Sequence, residues 1–163
     1  MSSAQGDTVR TTLLRAIQIE ARNGGIYDSL AHLFLGYDDS LTAIFREMAD
    51  EERQHGAELE GRFRERFGPV PSSTEDPKEV IEAPDLEDPE ALIFDSMTAE
   101  QALVLGLRAE ESAREFYRQE SARTPDPGLQ AVYKELCEFE QGHVDLLKAK
   151  LAEKRREASS NSR

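Results

Sequence analysis

Apolar residues recur every three or four positions along most of this chain, which is the period of an amphipathic α-helix. In the first such segment, from about Thr8 to Gly36, a carboxylate lies within the apolar stripe. The stripe consists of Leu13, Ile17, Glu20, Gly24, Tyr27, Ala31 and Phe34. The pattern therefore predicts a helix with an acidic group on its buried face.

Three further segments have the same period, and each also carries polar residues inside its apolar stripe. We predict a second helix that is capped within 38–40 and ends near Gly68. A third begins near Thr98, which resembles a capping box with Gln101, and a fourth follows the turn at 124–128. The three stripes are Leu41, Phe45, Met48, Glu52, His55 and Leu59; Leu103, Leu107, Glu110 and Tyr117; and Leu129, Tyr133, Leu136, Glu140, His143 and Leu147.

The segment 68–97 differs from the rest because it is rich in proline and acidic residues and has no sustained period. We interpret it as a long crossover between helices two and three, with short helical turns at 76–82 and 88–94. Residues 1–163 then form a single all-α domain, a four-helix bundle built from two helical hairpins. Its charged and serine-rich end, 154–163, is expected to fray.

The two predicted hairpins repeat each other. Adding 90 to positions in the first helix, or 88 to positions in the second, reaches residues of the same type in the other hairpin. The matching pairs are Leu13–Leu103, Ile17–Leu107, Glu20–Glu110, Tyr27–Tyr117, Phe45–Tyr133, Met48–Leu136, Glu52–Glu140, His55–His143 and Leu59–Leu147. Because polar pairs repeat together with apolar ones, the pattern indicates two helix pairs related by an internal twofold axis.

Glu-x-x-His occurs in both the second and the fourth helix, and its two side chains lie on one helical face. A carboxylate-bridged di-metal site in a bundle takes one such pair from each of two helices and a single Glu from each of the others. We therefore predict a two-metal site with the ligands Glu20, Glu52, His55, Glu110, Glu140 and His143. The four glutamates, with Tyr27 and Tyr117, are also the candidate catalytic residues.

Other interpretations of these residues remain open at this point. The Glu-x-x-His pairs could form ion pairs on solvated helix faces, and the two tyrosines could be core aromatics, donors to the ligand carboxylates or redox groups. Glu111 would replace Glu110 if the register of the third helix slipped. The remaining polar residues near the motifs are expected to be structural or on the surface: His32, Asp50, Glu51, Cys137 and Glu138.

The net charge of −13, from 33 acidic and 20 basic residues, argues against nucleic acid and anionic membranes as partners. A single cysteine, Cys137, excludes an intramolecular disulfide and a Cys-x-x-Cys metal site. No apolar run approaches the ~20 residues that cross a bilayer. The expectation is a cytoplasmic protein.

With these motifs in place, the chain resembles the rubrerythrin branch of the ferritin-like superfamily from about residue 8 to residue 151. The resemblance implies a ferritin-like bundle that binds two Fe ions, with Mn, mixed Mn/Fe or isolated Zn as alternatives. Two departures stand out. The chain has no rubredoxin-like domain with two Cys-x-x-Cys pairs, and Ala113 stands where many rubrerythrins have an extra Glu.

The resemblance further implies a non-haem oxidoreductase that oxidises Fe(II) and reduces hydrogen peroxide or oxygen, in oxidative-stress defence or iron homeostasis. It implies a homodimer, with helix exchange through the crossover as one form, and an external electron donor such as a rubredoxin-like protein or flavoprotein. The alternatives are an iron-storage protein without peroxidase turnover and an adaptor bundle whose metals are structural.

Overall fold

A computed structural model describes residues 3–72, 93 and 96–161 of the chain. Four α-helices, α1 (Ser3–Phe34), α2 (Asp39–Phe67), α3 (Ala99–Arg123) and α4 (Pro127–Asn161), account for nearly all of these residues, and no strand occurs among them. Helix α1 packs along α2, and α3 packs along α4. The predicted all-α bundle of two helical hairpins is confirmed.

The helix ends follow the predicted capping chemistry. The side chain of Asp38 accepts a hydrogen bond from the backbone N–H of Leu41 (3.0 Å), which makes Asp38 the N-cap of α2. Gly68 ends α2 with a φ of 86°, a conformation that favours glycine. Thr98 and Gln101 form the reciprocal capping box of α3.

The C-terminal end of α4 corrects one prediction, because residues 154–161 of the segment that was expected to fray are helical. Lys154 bonds Asp38 in the α1–α2 turn (2.8 Å), and Arg155 bonds Glu100 at the start of α3 (2.7 Å). Lys154 also pairs with Glu157 one turn further along α4 (3.2 Å). These charges extend the helix beyond its last apolar contact, which the apolar pattern alone could not predict.

A polar layer divides the interior of the bundle into two apolar clusters. One cluster lies around Phe45 and takes in residues such as Ile26, Leu30, Leu103 and Leu147. The other contains Leu13, Ile17, Leu59, Phe63, Tyr117, Tyr133 and Leu136. In each helix the predicted polar residues lie between the segment that packs into one cluster and the segment that packs into the other. These polar residues therefore meet in the middle of the bundle.

Most of the crossover, residues 73–92, 94 and 95, lies outside the described residues, and so do the helical turns predicted at 76–82 and 88–94, apart from Ile93. Of its described residues, Ile93 packs against the cluster around Phe45, and Met97 is part of that cluster. Among the helices that the structure describes, none contains an apolar stretch long enough to cross a membrane.

We expect Asp38→Ala to lower the free energy of unfolding by about 1 kcal/mol, because it removes the side-chain acceptor for an N–H of the first turn of α2. Asp38→Asn is the matched control, since it keeps a capping oxygen but removes the charge that pairs with Lys154 (2.8 Å), and it should lose less. Urea unfolding of both variants would measure the difference. Equal losses would contradict the capping role.

Candidate metal centre

All six residues predicted as metal ligands lie in the polar layer and are buried. Their relative exposures are 0% for Glu20, Glu52, Glu110 and Glu140, 7% for His55 and 5% for His143. Each helix contributes to the layer because its polar residues share a face with the apolar residues before and after them. Solvated helix faces are therefore excluded as an explanation of the two Glu-x-x-His motifs.

The candidate ligand atoms form two overlapping groups, each with atoms within 4.8 Å of one another. Glu20 and His55 belong to the first group, and Glu110 and His143 belong to the second. Glu52 and Glu140 belong to both groups. Two cation positions that share two carboxylates are the arrangement of a carboxylate-bridged pair.

Several buried atoms in this layer have no hydrogen-bond partner among the described residues. They include both carboxylate oxygens of Glu52, both of Glu140, Oε2 of Glu20 and Nδ1 of His55. A buried carboxylate oxygen without a donor is costly, and coordination of a cation removes that cost. Glutamate oxygens and imidazole nitrogens are also the donors that iron, manganese and zinc accept. The residues present thus fit a pair of divalent metals.

The electrostatics lead to the same conclusion. Burial, with repulsion from Glu110 and Glu20, raises the pKa of Glu52 to about 9. Burial and the neighbouring Glu110 also raise the pKa of Glu140 well above its ordinary value. Burial works against ionisation of Glu110 as well, but the neighbouring Glu140 and His143, together with the hydrogen bond from Tyr27, lower its pKa. Without cations, the layer must therefore hold protons on some carboxylates while others are ionised.

His143 faces the centre with one ring nitrogen and Glu51 with the other. Its Nδ1 lies 3.3 Å from Oε1 of Glu52 and 3.4 Å from Oε2 of Glu110. Its Nε2 lies 2.7 Å from Oε2 of Glu51, a side chain that is 35% exposed. Burial opposes protonation of His143, but its contacts with Glu110, Glu140 and Glu52 raise the pKa far above the ordinary value.

The contact of Glu51 with His143 corrects the expectation that Glu51 is only a surface charge. Glu51 precedes Glu52 on α2, and its side chain crosses to α4. The periodicity of one helix does not show which side chains reach a neighbouring helix, so no direct signal of this contact was present in the sequence. The repeat offers an indirect one, since position 139 in the second hairpin is Phe instead of Glu.

Tyr27 and Tyr117 hold carboxylates across the two hairpins. The hydroxyl of Tyr27 on α1 donates to Glu110 on α3 and lies 3.2 Å from the carbonyl oxygen of Gly106. The hydroxyl of Tyr117 on α3 donates to Glu20 on α1. Burial and the adjacent carboxylates raise both pKa values well above 10, so each tyrosine stays protonated and remains a donor.

These two Tyr–Glu hydrogen bonds also establish the relative direction of α1 and α3. Position 20 of α1 pairs with position 117 of α3, and position 27 pairs with 110, so the two helices are antiparallel. Gly106 makes the close approach possible, because a Cβ there would lie 3.2 Å from Cε1 of Tyr27. The two Tyr–Glu hydrogen bonds thus set the position of one hairpin along the other.

The positions of the neighbouring polar residues decide between the interpretations that the sequence left open for them. Glu111 is 41% exposed and pairs with Lys148 (3.3 Å), so Glu110 is the interior carboxylate of α3. Asp50, Glu138 and His32 are exposed, as expected. Cys137 is half-buried with Sγ 3.6 Å from the carbonyl oxygen of Arg114, and burial raises the pKa of its thiol.

Sequence reasoning also missed Asn23, which is fully buried one turn after Glu20. Its Nδ2 has no hydrogen-bond partner among the described residues, while its Oδ1 accepts from Arg22 (3.3 Å). The corresponding position in α3 is Ala113, which is also fully buried. Asn23 lies beside Gly24 of the predicted stripe and not within it, so the helical period did not mark Asn23 as buried.

Comparison with known proteins identifies a family and several similar folds. A family model described as Rubrerythrin matches residues 11–151. The chain has no match among curated proteins. Among solved structures, it is 24% identical to a hypothetical protein from Pyrococcus furiosus, with a TM-score of 0.69 and coverage of 88% of this chain and 87% of that one.

Two further structures are similar. Bacterioferritin from Rhodobacter capsulatus, described with a metal-free dinuclear site and haem iron, is 20% identical with a TM-score of 0.73, covering 92% of this chain and 87% of that one. An uncharacterised conserved protein from Magnetospirillum magnetotacticum is 25% identical with a TM-score of 0.66, covering 87% and 92%. At 24% and 20% identity, the first two structures bear on the fold alone.

We predict that the metal-free protein loses stability as the pH rises. The pKa of Glu52 is about 9 in the folded chain and near 4.5 when unfolded, so the folded state binds the extra proton between these values. The contribution of this proton to the free energy of unfolding is complete below the lower pKa. As the pH rises toward the higher pKa, that contribution falls by up to about 1.4 kcal/mol per pH unit. Urea unfolding between about pH 6 and pH 8 would measure this slope.

Glu52→Gln is the control for that prediction, because it keeps the shape of the side chain and cannot titrate. The free energy of unfolding of the variant should fall less steeply with pH than that of the wild-type protein over the same range. Parallel slopes for the two proteins would contradict the assignment.

We also expect Tyr117→Phe and Tyr27→Phe each to lower the free energy of unfolding by about 1–3 kcal/mol, because each leaves a buried carboxylate oxygen without its donor. Tyr133→Phe is a matched control, since the Tyr133 hydroxyl is buried and has no partner among the described residues. Its removal should be neutral or stabilising. Urea unfolding at neutral pH would compare the three, and equal losses would refute the donor role.

Proposed function

Since the chain belongs to the rubrerythrin family, whose members bind di-iron centres, we propose that it oxidises Fe(II) and reduces hydrogen peroxide or oxygen at a non-haem di-iron site. The observation that carries this proposal is the pair of overlapping ligand groups that share Glu52 and Glu140. The role in the cell would be defence against oxidative stress or iron homeostasis.

The proposed ligands divide as the two groups do. Glu20 and His55 would hold one iron, and Glu110 and His143 the other. Glu52 and Glu140 would bridge the two, because their oxygens are unpartnered and lie within reach of both groups. When bound, the pair supplies two electrons, which with two protons convert one hydrogen peroxide into two waters. Iron is proposed from the family, since Glu and His ligands also suit manganese and zinc.

The residues around the ligands would hold the ligand carboxylates in position and would exclude bulk water from the centre. Tyr27 and Tyr117 hold one oxygen of Glu110 and one of Glu20, which leaves the second oxygen of each directed toward the centre. Apolar clusters close the bundle on both sides of the polar layer. Low solvent access strengthens the electrostatic interactions of the buried carboxylates with bound cations.

A cavity of about 230 Å³ between α2 and α4 offers an approach to the centre. Its lining includes His55, Glu51 and Phe139, so it borders the ligand layer from the outside. Hydrogen peroxide and oxygen are small enough to use such a cavity, whereas large organic substrates are not. This agrees with a small oxidant as the substrate.

The proposal includes a separate electron donor and a homodimer. The 163 residues contain one cysteine, and an iron centre of the rubredoxin type requires four. These 163 residues therefore do not supply a rubredoxin-type centre, and the electron donor that we propose for repeated turnover is a rubredoxin-like protein or a flavoprotein.

We predict that protein loaded anaerobically with Fe(II) consumes hydrogen peroxide rapidly, while the double variant Glu52→Ala, Glu140→Ala does so at least 100-fold more slowly, because both shared carboxylates are lost. Stopped-flow absorbance would follow iron oxidation, and a peroxide electrode would follow the oxidant. Glu111→Ala is the matched control, since its carboxylate lies on the surface beside Glu110 and pairs with Lys148. It should react like the wild type.

Iron content distinguishes this function from the alternatives. Two irons per chain that are oxidised by peroxide support the proposal, and many irons per chain in a large particle would indicate storage instead. Equal rates in the wild-type protein and the double variant would refute peroxide reduction at this site.

A further inference from the structure

The repeat that relates the two hairpins fails beside the candidate metal centre. Adding 88 to Glu52 and His55 gives Glu140 and His143, but adding 88 to Glu51 gives Phe139. Both residues contact a histidine on the opposite helix, and Phe139 also meets His143 on its own helix, with ring centroids 6.1 Å apart. The two histidines differ because, in the part of the chain that the structure describes, only His143 has a carboxylate at its outer nitrogen. The ligand set is nearly symmetric, whereas the surroundings of its imidazoles are not.

On one side, Glu51 fixes the orientation of His143. The carboxylate can only accept from the Nε2–H of the ring, which lies 2.7 Å away. Nδ1 is then the nitrogen directed toward Glu52, Glu110 and Glu140, at 3.3–3.6 Å from their oxygens. A carboxylate behind a ligating imidazole fixes its tautomer and makes it a better donor to a metal.

On the other side, Phe139 takes the place of that carboxylate. Its ring meets the ring of His55 edge-on, with centroids 4.5 Å apart and an interplanar angle of 81°. Nδ1 of His55 lies 3.4 Å from Oε2 of Glu20, so this histidine also faces the centre with Nδ1. Among the described residues, no carboxylate bonds the outer nitrogen of His55. An aromatic edge packs against the ring without accepting its N–H proton.

We propose that Glu51 is a positioning residue for His143 and makes the two metal positions unequal, so that the position at His143 binds a divalent cation more tightly than the one at His55. This inference rests on the proposed function, because it requires a metal pair in the polar layer. It adds the order in which the two positions bind metal: the position at His143 and Glu110 binds its cation first, and the position at His55 and Glu20 binds its cation second.

The test is a Zn(II) titration of the metal-free full-length protein against a chromophoric chelator, which measures affinity without redox turnover. The wild-type protein should bind two Zn(II) in two steps of unequal affinity. Glu51→Ala should weaken the tighter step about tenfold or more, the usual effect of removing the partner of a metal-bound histidine. Glu51→Gln keeps a neutral acceptor and should fall between the two. Circular dichroism would establish that each variant is folded.

Glu58→Gln is the matched control, because Glu58 lies on the same helix and lines the same cavity between α2 and α4. It removes the same charge without a contact to either histidine and should leave both steps unchanged. Phe139→Glu is the reciprocal variant, since it places a carboxylate beside His55. We expect it to tighten the weaker step and to narrow the gap between the two steps.

A proton NMR spectrum of the Zn(II)-loaded protein gives a readout that general destabilisation would not change. The chain has three histidines, and His32 is exposed. The Nε2–H of His143, bonded to Glu51, should give a downfield resonance that exchanges slowly with water. Glu51→Ala should abolish this resonance while the protein stays folded and metal-bound.

The outcomes separate this inference from the proposed function. If the wild-type protein takes up no Zn(II), the metal centre itself is refuted. If it binds two Zn(II) but Glu51→Ala changes neither step, or if Glu58→Gln has the same effect as Glu51→Ala, the positioning role is overturned and the metal centre stands.

Discussion

The burial of four carboxylates in one layer of a helical bundle is the constraint on which the rest of this structure depends. An ionised carboxylate that leaves water loses several kcal/mol of solvation unless partners replace it. Here the replacement comes from two histidines, two tyrosines and a geometry in which Glu52 and Glu140 can serve two cations at once. The same layer interrupts the hydrophobic core, so the bundle relies on two smaller clusters on either side of it.

The fold and the clustering of the six buried polar residues could be predicted from sequence because both follow from helical periodicity. Glu20, Glu52, Glu110 and Glu140 fall in register with apolar neighbours, and a residue in that register must face the interior. The repeat between the hairpins added support, since it matched polar residues as well as apolar ones. Local capping signals such as Thr98 with Gln101 located the start of α3 correctly.

What the sequence could not provide were contacts that depend on how one helix faces another. Glu51 lies outside the apolar stripe of α2, and only the position of α4 brings it to His143. Asn23 is buried through close packing around α1, where its neighbours include a glycine. The helical end of α4 was missed for a related reason, since ion pairs with Asp38 and Glu100 extend it without any apolar pattern.

Those ion pairs at the end of α4 differ physically from the charges inside the bundle. Lys154 and Arg155 reach their partners at the surface, where mobile ions screen attraction over about 8 Å at physiological ionic strength. The interior carboxylates are out of reach of that screening. Concentrated salt would thus loosen the join between the last turns of α4 and the other helices while the central layer keeps its strength.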